Sequence, residues 1–201
     1  MSRAAAPREA YHHGQLRTAA LDAAEALIEQ DADISLRALA GGLGVAHRAL
    51  YNHFGDRAGL LAALAARGFE RLADAVAGAG SAEAFVRAYA GFALARPGLY
   101  ALMMRQTYRA FETDPALRVA ADRLISVALR VLAPGAPDAD SGRRAVMRLW
   151  MLVHGGLALH AGGALRTRSD EDFVTELLAI AGLAPASPEP PVQPLWPTEA
   201  P

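Results

Sequence analysis

Between Ser35 and Phe54 the chain reads SLRALAGGLGVAHRALYNHF. Leu36, Leu39, Leu43, Val45 and Leu50 are spaced to hold two short helices against a third, with Gly44 in the turn between them. That packing leaves Arg37, His47, Arg48, Ala49, Tyr51, Asn52 and His53 for other work. As a set they suit a DNA groove. A guanidinium can bond guanine in a fork, a methyl can meet the thymine methyl, and Tyr or His can donate to phosphate. The layout is that of a helix-turn-helix, and spacing alone also fits an αα-hairpin inside a helical bundle.

Catalytic chemistry has less to work with. The absence of Cys excludes disulfides, thiolate zinc sites and cysteine nucleophiles. Of the six His, His12 and His13 stand near the start of the sequence, and His154 and His160 are six apart, on different faces of a helix. There is no HExxH, no GxSxG and no phosphate-cradling glycine loop, so no catalytic residue, metal site or cofactor is expected. The formal net charge is −1, so any affinity for nucleic acid must come from local charge. Locally the balance is basic. Arg3, Arg8 and Arg17 face only Glu9 over residues 1–17, and Arg37, Arg48 and Arg57 face only Asp56 over residues 36–57. Asp22, Glu25, Glu29, Asp31 and Asp33 concentrate negative charge, which is expected to point away from a duplex. Arg3 and Arg8 form an arm that either reaches a minor groove or stays solvated.

The elements that must position these groups are helices. Ala makes up about a quarter of the chain, β-branched residues are scarce, and no stretch alternates long enough for a strand. The expectation is an all-α fold of about nine helices: 16–30, one after Ser35, 46–52, 57–77, one after Ser81, 97–111, 115–133, 143–165 and one after Ser169. Residues 134–142 are expected to be a loop, and the Pro-rich tail from Ala184 a disordered one. No signal peptide or membrane span is evident, so a cytoplasmic protein without membrane contact is expected.

The 143–165 helix is apolar all round and should be buried on both sides. One face carries Met147, Trp150, His154, Leu157 and Ala161. The other, with Leu149, Leu152, Gly156, Leu159 and Gly163, is expected to receive a helix of a second copy, aided by Phe173, Val174 and Leu177. Phe85, Tyr89, Phe92, Met103, Met104 and Tyr108, together with Trp150 and His154, could line a pocket for a small apolar effector. Each of these residues also fits an ordinary core position.

The segment GVAHRALYNHFGDRAGLL resembles the helix-turn-helix end of TetR-family transcription regulators: Gly-Val, a short variable stretch, Leu-Tyr-x-His-Phe, then a basic residue opening the next helix. SLRALAGGLG resembles the preceding element of that family. YHHGQLRTAALDAAEALI and WMLVHGG resemble the opening and a Trp-x-x-x-His-Gly element of family subgroups. The resemblance implies a three-helix DNA-binding domain at 1–57, a helical ligand-binding and dimerisation domain at 58–183, and a tail at 184–201. It makes 46–52 the recognition helix, with Arg37 and Arg48 on base edges beside His47, Ala49 and Asn52, and with Tyr51, His53 and Arg57 on phosphates. Two positions depart from the pattern: Ala46, where a small polar residue is frequent, and Arg57, where Lys is usual. The implied function is a homodimeric repressor of a palindromic operator on double-stranded DNA, released by a small apolar effector. A helical enzyme and a helical interaction module without DNA binding are the alternatives.

Overall fold

Six helices start on a side chain that the sequence places for the purpose. Ser35, Asp56, Ser81, Asp114, Asp138 and Ser169 each accept a hydrogen bond from the backbone N–H three residues on, satisfying donors that the first turn leaves unpaired. The computed structural model describes residues 13–106, 108–165 and 167–183, and the side chains of all of these except His13, Tyr108 and Arg109. Ten helices lie among them: α1 (His13–Glu29), α2 (Leu36–Gly42), α3 (His47–Phe54), α4 (Arg57–Ala77), α5 (Ala82–Ala95), α6 (Pro97–Met104), α7 (Tyr108–Thr113), α8 (Pro115–Leu132), α9 (Ala139–Ala161) and α10 (Asp170–Ile180). The described residues contain no strand. The arm carrying Arg3 and Arg8 and the tail from Ala184 lie outside the described residues.

Two differences from the sequence expectation have a visible cause. The single helix expected over 97–111 is α6 and α7. In an unbroken helix the Leu102 carbonyl would accept the Gln106 backbone N–H. Instead the Gln106 side-chain amide donates to it at 3.0 Å, and the Gln106 backbone turns to Met103 O at 3.3 Å. No Gly or Pro marks that break. The second difference is α9, which begins at Ala139 and so occupies part of the expected 134–142 loop. Asp138 accepts from Ser141 N at 2.7 Å and from the Ser141 hydroxyl at 3.0 Å. Those bonds hold the Asp138 carboxyl below the usual carboxylate range.

α1, α2 and α3 close on Leu16, Ala20, Ala24, Leu36, Leu39 and Leu50, all buried, with Leu43 and Val45 packed at the edge. Gly44 sits in the α2–α3 turn at φ +67, a left-handed conformation that favours glycine. α4 leads from this unit into the larger one, where it packs against α5, α6 and above all α8. Its buried stripe includes Leu60, Leu64, Phe69, Leu72 and Val76. α5 packs against α6, α8, α9 and α10, and α9 against α8 and α10.

α6 is seated most tightly. A β-carbon at Gly98 would lie 2.6 Å from Ile28 O on α1, and one at Gly68 would lie 2.6 Å from Met103 Sδ on α6. Gly98→Ala therefore should lower unfolding free energy by about 1–3 kcal/mol, because the obstacle is backbone. Gly91→Ala, on α5 with nothing within 4 Å, should raise it by about 0.5–1 kcal/mol through helix propensity. Urea denaturation of both variants checks this, and equal effects at the two sites would contradict the seating of α6.

Candidate nucleic-acid interface and ligand cavity

The outer side of the α2–α3 pair carries the residues that were expected to read DNA. Arg37, His47, Arg48, Tyr51, Asn52 and Arg57 are exposed, while Ala49 and His53 are half-buried. Ala49 also packs against the core. Leu50 and Phe54, the buried side of α3, hold it in place, and the Arg17 guanidinium lies 5.7 Å from the Phe54 ring centre. The His47 and Tyr51 rings meet edge-on at 6.1 Å, which restrains both. The Ala46 departure has a visible consequence: Ala46 stands at the cap position before α3 and supplies no side-chain hydrogen bond, which forgoes about 1 kcal/mol. Arg57 has a structural duty. Its Nε donates to Ile34 O at 2.9 Å and Nη2 lies 3.4 Å from Asp33 Oδ1, so it ties the start of α4 to the loop before α2.

The acidic cluster on α1 is largely consumed inside the protein. Arg67 of α4 bonds Asp22, Glu25 and the Leu21 carbonyl. Arg71 bonds both oxygens of Glu25 at 2.7 Å. Glu29 caps α6 from a distance, accepting from Gly98 N at 3.0 Å and Leu99 N at 2.9 Å, where the helix dipole favours an anion. These contacts fasten α1 to α4 and α6.

A cavity of about 840 Å³ opens among α4 to α9. Of the residues expected to line it, Phe85, Tyr89, Met103, Met104 and Trp150 do. Phe92 is buried and does not line the cavity; the Arg96 guanidinium lies 5.4 Å from its ring centre. The Tyr108 side chain lies outside the described residues. His154 lines a smaller neighbouring cavity of about 350 Å³ with Tyr100 and His160. The wall of the larger cavity also uses Phe69, Phe111, Leu124 and Val153, with Gln106, Glu112, Arg118 and Asp122 among its polar residues. The sequence reading did not single these out, although the α8 members follow a helical repeat that spacing alone could show.

Between the two cavities runs a chain of polar contacts. The Tyr89 and Tyr100 hydroxyls are 3.2 Å apart, and the Tyr100 hydroxyl is 2.9 Å from His154 Nδ1. The Trp150 ring stacks on His154 at 5.3 Å and 7°. Burial pushes the Tyr89 phenol up, partly offset by hydrogen bonds with Tyr100 and Trp150. Burial, aided by the neighbouring Tyr89, pushes the Tyr100 phenol up as well. Both hydroxyls are therefore neutral across the physiological range.

The residues expected at a dimer face are placed differently. Phe173, Val174 and Leu177 are buried within the chain. A β-carbon on Gly156 would meet Leu177 of α10 at 2.8 Å, so the helix admitted by Gly156 belongs to the same chain. Leu152 is half-buried and packs against the chain's own core. Gly163 ends α9 at φ +70, with Ala164 N bonded to Leu159 O at 2.9 Å, a helix-stop geometry. Leu159, at 52% exposure, and Gly163 are the members of that set that stand open.

Among the described residues no group of three His, Asp or Glu could hold a metal ion, and no helix is long and apolar enough to cross a membrane. Residues 20–64 match the bacterial regulatory proteins of the tetR family, and residues 82–181 match the tetracyclin repressor-like C-terminal domain. No curated protein matches the chain. Among solved structures, a protein of unknown function from Rhodococcus sp. RHA1 is 31% identical over 88% of this chain and 100% of its own, with a TM-score of 0.69. A candidate TetR-family transcriptional regulator from Rhodococcus sp. is 23% identical over 84% of this chain and 97% of its own, with a TM-score of 0.56, a likeness of fold. The chain belongs to the TetR family of transcriptional regulators, with a helix-turn-helix domain followed by a C-terminal ligand-binding domain.

The Arg57 contacts separate a structural from a DNA-binding role. Arg57→Ala should lower the stability of the DNA-free protein by about 0.5–1 kcal/mol, the scale of one partly exposed hydrogen bond. An unchanged urea midpoint would show that the contacts with Ile34 and Asp33 do not stabilise the fold.

Proposed function

We propose that the protein is a homodimeric repressor that reads a palindromic operator through α3 and releases it when a small apolar effector enters the larger cavity. The observation that carries the DNA reading is the outer side of α2–α3: Arg37, His47, Arg48 and Asn52 stand exposed on short helices whose other side is locked into the core. In this reading Arg37 and Arg48 meet base edges, with His47, Asn52 and the rim of Ala49 beside them, and Tyr51, His53 and Arg57 meet phosphates. Such a regulator works beside the chromosome, in the cytoplasm.

An open apolar face on α9 supports the dimer. Met147, Met151 and Leu159 are 40%, 58% and 52% exposed. Gly155 lies between them with nothing within 4 Å of its missing side chain, and Ala158 is exposed beside it. Ile180 of α10 is 63% exposed. Large apolar side chains around a small-residue track let a second helix approach closely and bury area. A two-fold partner would present two copies of α3 to successive major grooves, about 34 Å apart.

Fluorescence anisotropy on duplexes from the region upstream of the protein's own gene tests both halves. The full chain should prefer that DNA to a scrambled duplex. Arg48→Ala should cost about 1–3 kcal/mol on the preferred site and relax the preference. Met151→Asp should leave a folded monomer with most operator affinity lost. An Arg48→Ala protein with an unchanged preference, or a monomer binding at full strength, would contradict this reading.

A further inference from the structure

Among the described residues that line the larger cavity and are fully buried, one carries a polar side-chain group. Phe69, Phe85, Val86, Met103 and Val153 are buried and contribute hydrocarbon, rings or thioether. Tyr89, 4% exposed, contributes a hydroxyl. The charged lining residues, Glu112, Arg118 and Asp122, are all exposed on α7 and α8, so they define a wet mouth. We propose that the cavity selects a neutral, largely apolar molecule carrying one hydroxyl or carbonyl group, and that Tyr89 is the residue that reads that group. The proposal rests on reading this cavity as the effector site.

Two physical arguments lead there. The first is desolvation. A carboxylate or ammonium carried to the depth of Tyr89 would leave water without meeting an opposite charge, a penalty far larger than one hydrogen bond returns. A neutral hydroxyl or carbonyl pays much less and is repaid by a single partner. Charged ligands must keep their heads at the mouth, out of reach of Tyr89.

The second argument is the capacity of the Tyr89 oxygen. A phenol hydroxyl has one proton to donate and two lone pairs to accept with. Its contact with Tyr100, at 3.2 Å, is long for a bond between hydroxyls, which centres near 2.7–2.8 Å. Trp150, whose indole N–H can only donate, takes one lone pair of the Tyr89 oxygen. The long contact with Tyr100 takes either its proton or its other lone pair, so one site stays open to donate to a carbonyl or accept from a hydroxyl in the cavity. Tyr100 does not line this cavity, and its 2.9 Å contact with His154 fixes it from behind. Tyr89 also packs against Phe85, with ring centres 6.2 Å apart. Its ring is pinned on both sides while its oxygen keeps spare capacity, the arrangement required of a side chain that selects one polar group.

Four probes sharing a pyrene ring test the assignment with the full chain: 1-methylpyrene, 1-pyrenemethanol, 1-pyrenemethylammonium and 1-pyrenecarboxylate, followed by fluorescence titration. 1-Pyrenemethanol should bind about fivefold tighter than 1-methylpyrene, the value of one hydrogen bond, and at least about tenfold tighter than either charged probe. Tyr89→Phe should abolish the fivefold margin and leave 1-methylpyrene unchanged. Ala121→Trp, which fills the cavity from its half-buried wall, should weaken all four. If a charged probe binds tightest, or Tyr89→Phe weakens methylpyrene and pyrenemethanol alike, the role of Tyr89 is overturned while the effector cavity stands. If no probe binds, or binding survives Ala121→Trp, the cavity reading falls as well.

Discussion

Helix α6 lies so close to α1 and α4 that neither crossing has room for a β-carbon. Gly98 faces the Ile28 carbonyl on one side, and Gly68 of α4 faces Met103 on the other. The closeness gives α6 two roles at once. Its first turn rests on α1, where Glu29 accepts from Gly98 N and Leu99 N. Its later residues, Tyr100 and Met103, form parts of the two cavity walls. A side chain at either glycine would lift α6 away and loosen both attachments, since packed interiors have little slack. The α1–α6 crossing, one part of the junction between the helix-turn-helix and the larger unit, is thus a close approach to backbone.

Electrostatics reinforce the junction. The net charge of −1 conceals a sorting of charges. Acids of α1 turn inward to Arg67 and Arg71 of α4, while α2 and α3 keep Arg37 and Arg48 exposed. Glu25 and Arg67 have side chains only 15% and 14% exposed, and the Arg67 Nε is buried without a hydrogen-bond partner. A pair so placed gains little net energy over apolar packing, yet breaking it would strand a charge. Its effect is to set where α1 sits along α4, and that placement sets the pose of the helix-turn-helix.

Much of this was legible in the sequence because it is local. Caps at Ser35, Asp56, Ser81, Asp114 and Ser169 declare themselves by residue type and by the apolar repeat that follows. The helix-turn-helix is a continuous segment, so its inner and outer faces separate by period alone. What depends on partners distant in sequence was not legible. Gly156 was expected to admit a second subunit, and it admits α10, because a glycine shows that something comes close without showing what. Gly163 was grouped with it by the wheel, but stops the helix by its left-handed backbone. The α6–α7 break depends on a side-chain amide taking one carbonyl, a choice between two nearly equal partners that no composition signal marks. His154 shared the expected face with Trp150, and the stack between them shows it, but its engagement with Tyr100 depends on how α6 meets α9.

The central claim is that two copies of α3 enter neighbouring major grooves of one duplex. Hydroxyl-radical footprinting of the full chain on a duplex selected from a random pool tests it most directly. The expected result is a palindromic site with two symmetric protected stretches centred about one helical turn, 10–10.5 base pairs, apart or a multiple of that spacing. A pool that yields no enriched sequence, or a site with one protected stretch, would contradict it.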